Sequence, residues 1–563
     1  MKIKAILLFL VATHNVSAQF IDNSLGVDPR VNYQKLTELG PWDDRNYDLT
    51  LEDLAWLSDN EHELKEMVPA FYRVQFRKEF PDTPRIGKVQ YPRSLLNYYV
   101  LKYDGYLIDG LIYRAGKWLN DYHSFEVTME NGLTPGEIFR EQIKQNTRTL
   151  SGEVLVFSGA ESAVSVSPAD PELVVAGLNR NGQEMLYSSD GGDTWTSAPD
   201  LTGSECCDPA MDWKSDGSYV YNVTLGGNQV WFYRSDDNGQ TWDSLADITP
   251  GDNRRELSGP TGSLNDKEYI HVDQSPTSPF QDNIYITWHQ SNIMQFAVSD
   301  DDGNTFTTTS FTAEDRGIGS DIVTGRDGTI YHFWPAFNNP DIQMNKSTNG
   351  GTAFSPAVVV APTNDGFDFP IPSMDSRFVF IYVAADIDLT GGPYDGRLYA
   401  SWTDTLGPQS TAVNNHARIQ VGYSDDGGDT WNVTTPHETD DALEVDRWHQ
   451  WLKVDRNGIV HVIFYDTRNF ADRSGVDVYH SYSVTGGENW SAPTRLTSVS
   501  SPEGSGFQFG DYNGMDFGDS DDGVAIFSDN RAEGGGSPDM DVYVAPVLGP
   551  IDLIFENGFE AIN

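Results

Sequence analysis

An eight-residue phrase, S-x-D-x-G-x-T-W, recurs along the chain, and few folds can hold so many copies of one tight turn. It is complete at Ser188–Trp195, Ser235–Trp242 and Ser424–Trp431, and ends in Phe at Ser299–Phe306. Ser347–Phe354 and Ser483–Trp490 keep the frame with Asn349 and Thr485 at the Asp position. A Ser or Asp oxygen can accept hydrogen bonds from the turn's own N–H groups, and glycine supplies positive φ without a Cβ clash. The closing aromatic is large enough to wedge between neighbouring sheets. Each copy follows a β-rich run, so the phrase marks one fixed corner of a repeated β unit.

Aligning the units against one another gives paired first and second strands in seven places. Examples are Ala163–Val166 with Leu173–Ala176, Tyr269–Val272 with Ile284–Trp288, and Trp451–Val454 with Val460–Phe464. The fifth pair reads as Val379–Tyr382 with Leu398–Trp402. The seventh unit has a third strand, Val542–Val544, but no turn phrase and no fourth strand; Glu153–Phe157 is a spare strand at the opposite end. Pairing those two closes a ring and removes its exposed edges. Residues 154–546 are 393 positions, about 56 per unit over seven units, which suits propeller blades with loops. The expected fold is all-β: a seven-bladed β-propeller over 151–547, with six blades as the alternative.

Residues 19–150 lack the repeat and read as a mixed, mainly helical domain. Ser58-x-x-Glu61 matches a capping box, Leu64, Val68, Phe71 and Phe76 follow at roughly helical spacing, and Pro81 ends the run. A second short helix is expected from Thr134 to Ile143, while Tyr98–Trp118 reads equally as helix or strand. Residues 1–18 form an expected signal peptide: Lys2 and Lys4, then the apolar Ala5–Thr13, then Val16-Ser17-Ala18 at a cleavage position. No later stretch has the roughly 18 apolar residues of a membrane span. A secreted protein, extracellular or periplasmic and open to surface attachment, is therefore expected, with 548–563 as a C-terminal tail. The formal charge of −47 argues against nucleic acid or an anionic membrane as partner. The two cysteines, Cys206 and Cys207, are adjacent, which leaves a vicinal disulfide, free thiols or metal ligation open.

The turn phrase, its place in the blade and the export signal make the chain resemble the sialidase-like, Asp-box (BNR) propeller superfamily over 151–547. Glu161–Pro168, Cys206-Cys207-Asp208-Pro209, Asp266–Tyr269 and Gly510–Gly514 also resemble exported bacterial proteins labelled sialidase family. That resemblance implies a glycan or polysaccharide partner, glycoside hydrolysis without a required cofactor, and turns that are scaffold. It also implies a Phe/Tyr-Arg-Ile/Leu-Pro motif before the first turn, but residues 157–160 read Phe-Ser-Gly-Ala, so sialidase activity itself lacks its signature.

Blade geometry puts first-strand starts and second-strand ends on the face opposite the turns, around a concave channel mouth. That selects Glu161, Asp208, Asp321 and Asp511 as candidate acid, base or nucleophile, with Tyr512 and His449 beside them. Lys267, Arg377, Arg447, Arg468 and Arg531 are candidate substrate-binding cations. The repeated Asp466-x-Arg468 and Asp529-x-Arg531 also suit ion pairs between blades, and an acidic ring at the mouth suits a structural calcium ion. Two other functions fit the same face. A polysaccharide lyase would use His449 or Tyr512 as base; a non-catalytic glycan-binding propeller would use Trp448, Trp451 and Tyr512 as stacking platforms.

Overall fold

The computed structural model describes most of residues 152–549 and, before them, only the backbone of four short strands. Those four, Tyr106–Ile108, Leu111–Arg114, Lys117–Leu119 and Ser124–Phe125, form an antiparallel meander. The stretch that read equally as helix or strand is thus β over three of them. The expected helices at 58–76 and 134–143, the signal peptide and most of the tail lie outside the described residues. Among the described residues every element is a strand, and no helix is long and apolar enough to cross a membrane.

The larger unit is a seven-bladed β-propeller of antiparallel sheets, four-stranded except in blade 6, where Ser501–Pro502 adds a fifth strand. The first strands of blades 1 to 7 are Ala160–Val166, Glu205–Trp213, Asn265–Val272, Asp321–Thr324, Val383–Ile387, Arg447–Val454 and Gly514–Asp516. Blade 7 is completed by Val154–Ser158, which pairs antiparallel with Asp541–Val547, so the first strand of the propeller closes the last sheet. Glu153, just before that strand, pairs with Arg531, which also holds Asp529 at 2.5 Å.

One strand assignment differs from expectation. The first strand of blade 5 is Val383–Ile387; Met374–Phe380 instead pairs with Asp368–Ile371 in an inserted hairpin. Val379-Phe380-Ile381 and Val383-Ala384-Ala385 are both apolar runs, so strand patterning alone does not separate them. Arg377 therefore belongs to the hairpin rather than to a first-strand start.

The six turns are built alike. In the first, Ser188 Oγ accepts the Gly192 N–H at 2.9 Å and donates to Asp190 at 2.8 Å, while Asp190 accepts the N–H and hydroxyl of Thr194 at 2.8 and 2.6 Å. The variant copies keep the frame: Asn349 accepts from Ala353 N–H at 3.0 Å and Thr485 from Asn489 N–H at 2.9 Å. These bonds satisfy the carboxylate locally; those from Thr430 are the main reason Asp426 is lowered to about 2. The turns also join blades. The closing aromatics Phe306, Phe354 and Trp431 meet Phe232, Phe296 and Phe333 of the preceding blade edge-on at 4.9, 5.0 and 5.8 Å.

Candidate functional site

The first strands line a central channel, and their register sorts the lining into levels. The residues opposite the second position of each second strand are Ser165, Asp212, His271, Val323, Asp386, Lys453 and Asp516, one per blade. All seven line an internal cavity of about 70 Å³. Its carboxylates tie neighbouring blades: Asp212 accepts the Val272 N–H at 2.7 Å, Asp386 the Val454 N–H at 2.8 Å and Asp516 the Val166 N–H at 2.7 Å. Lys453 is their common counter-ion and is held above the usual ammonium range by Asp386, Asp516, Asp212 and Asp321 against the cost of burial. Burial raises Asp212 to about 7.

Asp321 belongs to this wall, two residues nearer the mouth. Its oxygens accept the N–H groups of Ile322 and Ala385, each at 2.8 Å, and burial raises it to about 7. Blade 4 has a first strand of only four residues, so its start lies deeper than those of its neighbours. That placement makes Asp321 a link between blades, not one of the mouth carboxylates.

Counting back four residues from the lower level reaches Glu161, Asp208, Lys267, Gly319, Tyr382, His449 and Tyr512, the ring at the mouth. Glu161, Asp208, Lys267 and His449 have positive φ, from 48° to 59°, at register shifts in blades 1, 2, 3 and 6. Bulges turn side chains that strand alternation would place elsewhere, and non-glycine residues hold such backbone only where the surroundings impose it. Gly319 takes φ +73 in blade 4, and a Cβ there would collide with Tyr382.

Lys267 stands at the centre of this arrangement. Its Nζ lies 3.1 Å from the ring centroid of Tyr512, 4.7 Å from Tyr269 and 5.2 Å from Tyr382. Gln450 fixes the last of these by donating to the Tyr382 carbonyl at 2.9 Å. Asn179 donates to the Glu161 carboxylate and accepts the Asp208 N–H at 2.9 Å, and Tyr512 Oη lies 3.4 Å from Asp208 Oδ1. Asp266, which accepts the Lys267 N–H at 2.9 Å, is raised to about 6 by burial and then by Asp208. Glu268 is fully buried, with no partner for either oxygen beyond its own backbone; burial and then Asp208 raise it well above the carboxylate range. Asp511 acts electrostatically on Asp266, Tyr269 and Tyr382.

The candidate arginines are placed differently. Arg447 is buried and ion-paired with Asp466 at 2.6 Å and Asp441 at 2.7 Å. Arg468 pairs with Asp466 at 2.7 Å and Glu438 at 3.0 Å and lies over Tyr479. Arg531 repeats that arrangement with Asp529, over Tyr543. Arg468 and Arg531 are clamps within blades 6 and 7, not links between blades: in both, the Arg N–H and guanidinium return to the Asp two residues earlier.

Cys206 and Cys207 form a vicinal disulfide, with Cys206 exposed, immediately before Asp208. Among the described residues no group of three or more His, Cys, Asp or Glu side chains is arranged to hold a metal ion. Sequence reasoning passed over Glu268, Tyr269 and Tyr382 as site residues, and placed Asp266 at the mouth without singling it out for catalysis. Three consecutive charged residues, Asp266-Lys267-Glu268, inside a strand are the signal that a bulge breaks the alternation there.

A domain family of unknown function (DUF8300) matches residues 32–117. No curated protein matches the chain. Among solved structures, the chain is similar to the BP39L lectin from Burkholderia pseudomallei at 12% identity and a TM-score of 0.44, covering 70% of this chain and 97% of that one. It is similar to the intramolecular trans-sialidase from Ruminococcus gnavus at 11% identity and a TM-score of 0.36, covering 54% and 89%. An α-L-arabinanase from Penicillium chrysogenum is similar at 10% identity and a TM-score of 0.36, covering 60% and 92%. Likenesses of this degree say nothing about activity.

Proposed function

We propose that this protein acts on glycans at the channel mouth as a glycoside hydrolase. The observation that carries the reading is a pair of neighbouring carboxylates in different environments: Asp266, raised to about 6 mainly by burial, and Asp208, which faces the Tyr512 hydroxyl at 3.4 Å. A buried carboxyl group held above its ordinary range beside a second carboxylate supplies the acid of an acid–base or acid–nucleophile pair near neutral pH. In this reading Asp266 donates the proton to the leaving oxygen, and Asp208 attacks the anomeric carbon or activates the water that does. Asn179 holds Asp208 and the Lys267 N–H holds Asp266, and Glu161, Asp511 and His449 line the same mouth. The glycan class comes from the resemblance of the repeated turns, and export of the protein belongs to the same proposal.

Elimination fits less well. Burial holds Tyr512 well above its ordinary range, which makes it a poor base, and Arg447, Arg468 and Arg531 are already paired with carboxylates rather than open to a uronate. The test incubates the purified protein with a panel of neutral, amino and acidic oligosaccharides and measures new reducing ends. Asp208→Asn and Asp266→Asn should each lower kcat at least about 100-fold, the scale of one acid–base group, with unchanged thermal melts. Full turnover in both variants would refute the assignment.

A further inference from the structure

We propose that the mouth selects a cationic, amino-bearing sugar unit and rejects carboxylated ones, an inference that rests on the mouth being the glycan site. Asp266 of blade 3 lies within electrostatic reach of Asp208 and Asp511, Glu268 lies within reach of Asp208 and Asp266, Glu161 shares Asn179 with Asp208, and the ammonium set among them is that of Lys267. An acidic sugar entering this mouth meets like charge in a poorly solvated setting, which disfavours it strongly. The arginines that could have reversed that balance, Arg447, Arg468 and Arg531, are held by Asp441, Asp466, Glu438, Asp529 and Glu153.

Glu268 is fully buried, and both its oxygens lack any partner beyond its own backbone, a costly state for a polar group unless something completes it. It lies within electrostatic reach of Asp208, Asp266, Tyr269 and Tyr512. The tyrosine faces around Lys267 show what chemistry the mouth already recognises: an ammonium, lying 3.1 Å from the Tyr512 ring centroid. Lys267 thus acts as a tethered stand-in for part of the ligand. A free ammonium brought beside Glu268 supplies the donor and counter-charge that its two oxygens lack.

The experiment is calorimetric titration of the purified full chain at low salt with three tetrasaccharides. These are β-1,4-linked glucosamine, its fully N-acetylated form, and galacturonic acid. The glucosamine probe should bind at least about tenfold more tightly than the acetylated one, equivalent to about 1.4 kcal/mol, and galacturonate should not bind. Glu268→Gln and Asp208→Asn should each remove most of that preference. Asp300→Asn, at an exposed carboxylate on the blade 3 turn, should leave it intact. Equal affinity for all three probes, or an Asp300→Asn loss as large as that of Glu268→Gln, overturns the proposal; the latter would mean diffuse attraction to an acidic surface. Reducing-end release from the same probes separates the two readings. Selective binding without cleavage overturns hydrolysis and leaves the charge preference standing. Equal cleavage of all three overturns the charge preference and leaves hydrolysis standing.

Discussion

Replacing Gly303 by alanine tests how the repeated turn holds neighbouring blades together. Gly303 has φ +80, and a Cβ there would fall under 3.0 Å from ring carbons of Phe232 in the preceding blade. Forcing an alanine into the left-handed region costs about 1 kcal/mol. Phe232 is fully buried, stacked on Tyr221 at 5.7 Å and meeting Phe306 at 4.9 Å, so it has little room to retreat. Overpacking of that kind adds about 2 kcal/mol, for a total of about 3 kcal/mol. Gly427 is the control. It has φ +71, but a Cβ there would meet only Tyr331 Oη at 3.5 Å and Lys346 Nζ at 3.8 Å, leaving the backbone cost of about 1 kcal/mol alone. Urea denaturation should place the Gly303→Ala midpoint clearly below that of Gly427→Ala at similar m-value. Adding Phe232→Leu to Gly303→Ala should cost less than the sum of the single losses, because the smaller side chain relieves the collision. Equal losses for the two glycines, together with strict additivity in the double variant, would refute close approach between blades as the reason for glycine at this position.

Three other substitutions probe the channel, the core and the closure. Lys453→Met should destabilise the fold by about 2 kcal/mol or more, because it leaves the channel carboxylates without their counter-ion. Asp212 and Asp321, at about 7 in the fold against 3.8 unfolded, bind more protons when folded, so their cost grows as pH rises from about 4 to 7. The variant should therefore lose more in denaturation at pH 8 than at pH 5. His461 is fully buried 2.9 Å from His480 and lowered by burial from 6.5 to about 3, so its contribution is lost as pH falls through that window. His461→Gln should flatten the decline in unfolding free energy between pH 6 and 4 by up to one proton, about 1.4 kcal/mol per pH unit. Arg531→Lys should speed amide exchange over Val154–Ser158 while leaving blade 3 protected, since an ammonium lacks the planar guanidinium that lies over Tyr543 while one of its nitrogens meets both Asp529 and Glu153. Unchanged exchange there would refute the clamp's role in closure.

The turns were legible because their chemistry is local: Ser424, Asp426, Gly428 and Thr430 satisfy one another within seven residues, whatever surrounds them. Closure was legible for a related reason, since a strand too many at one end and one too few at the other leave a single economical pairing. The mouth was only partly legible. Glu161-Ser162, Asp208-Pro209, Lys267-Glu268 and His449-Gln450 make equivalent bulges without a shared residue type, because strand pairing around them, rather than local propensity, imposes the conformation. Tyr382 was hidden in an apolar run whose strand began four residues later than expected. The arginines read as open cations because sequence does not show that Asp441 and Glu438 fold back onto Arg447 and Arg468.

Closure by the earliest strand also sets a clock. Ser158 meets Met540, a separation of 382 residues. At about 5–20 residues per second of synthesis, the partner of Val154–Ser158 is made roughly 20–80 s after the strand itself. Through that interval blade 1 can pair its own strands and blades 2 to 6 can stack in turn, but the edge awaiting Asp541–Val547 stays open. The order of manufacture and the order of completion are therefore reversed at the seam, and the most vulnerable moment for strand-to-strand misassociation comes late, when six blades are built and the ring is still a crescent.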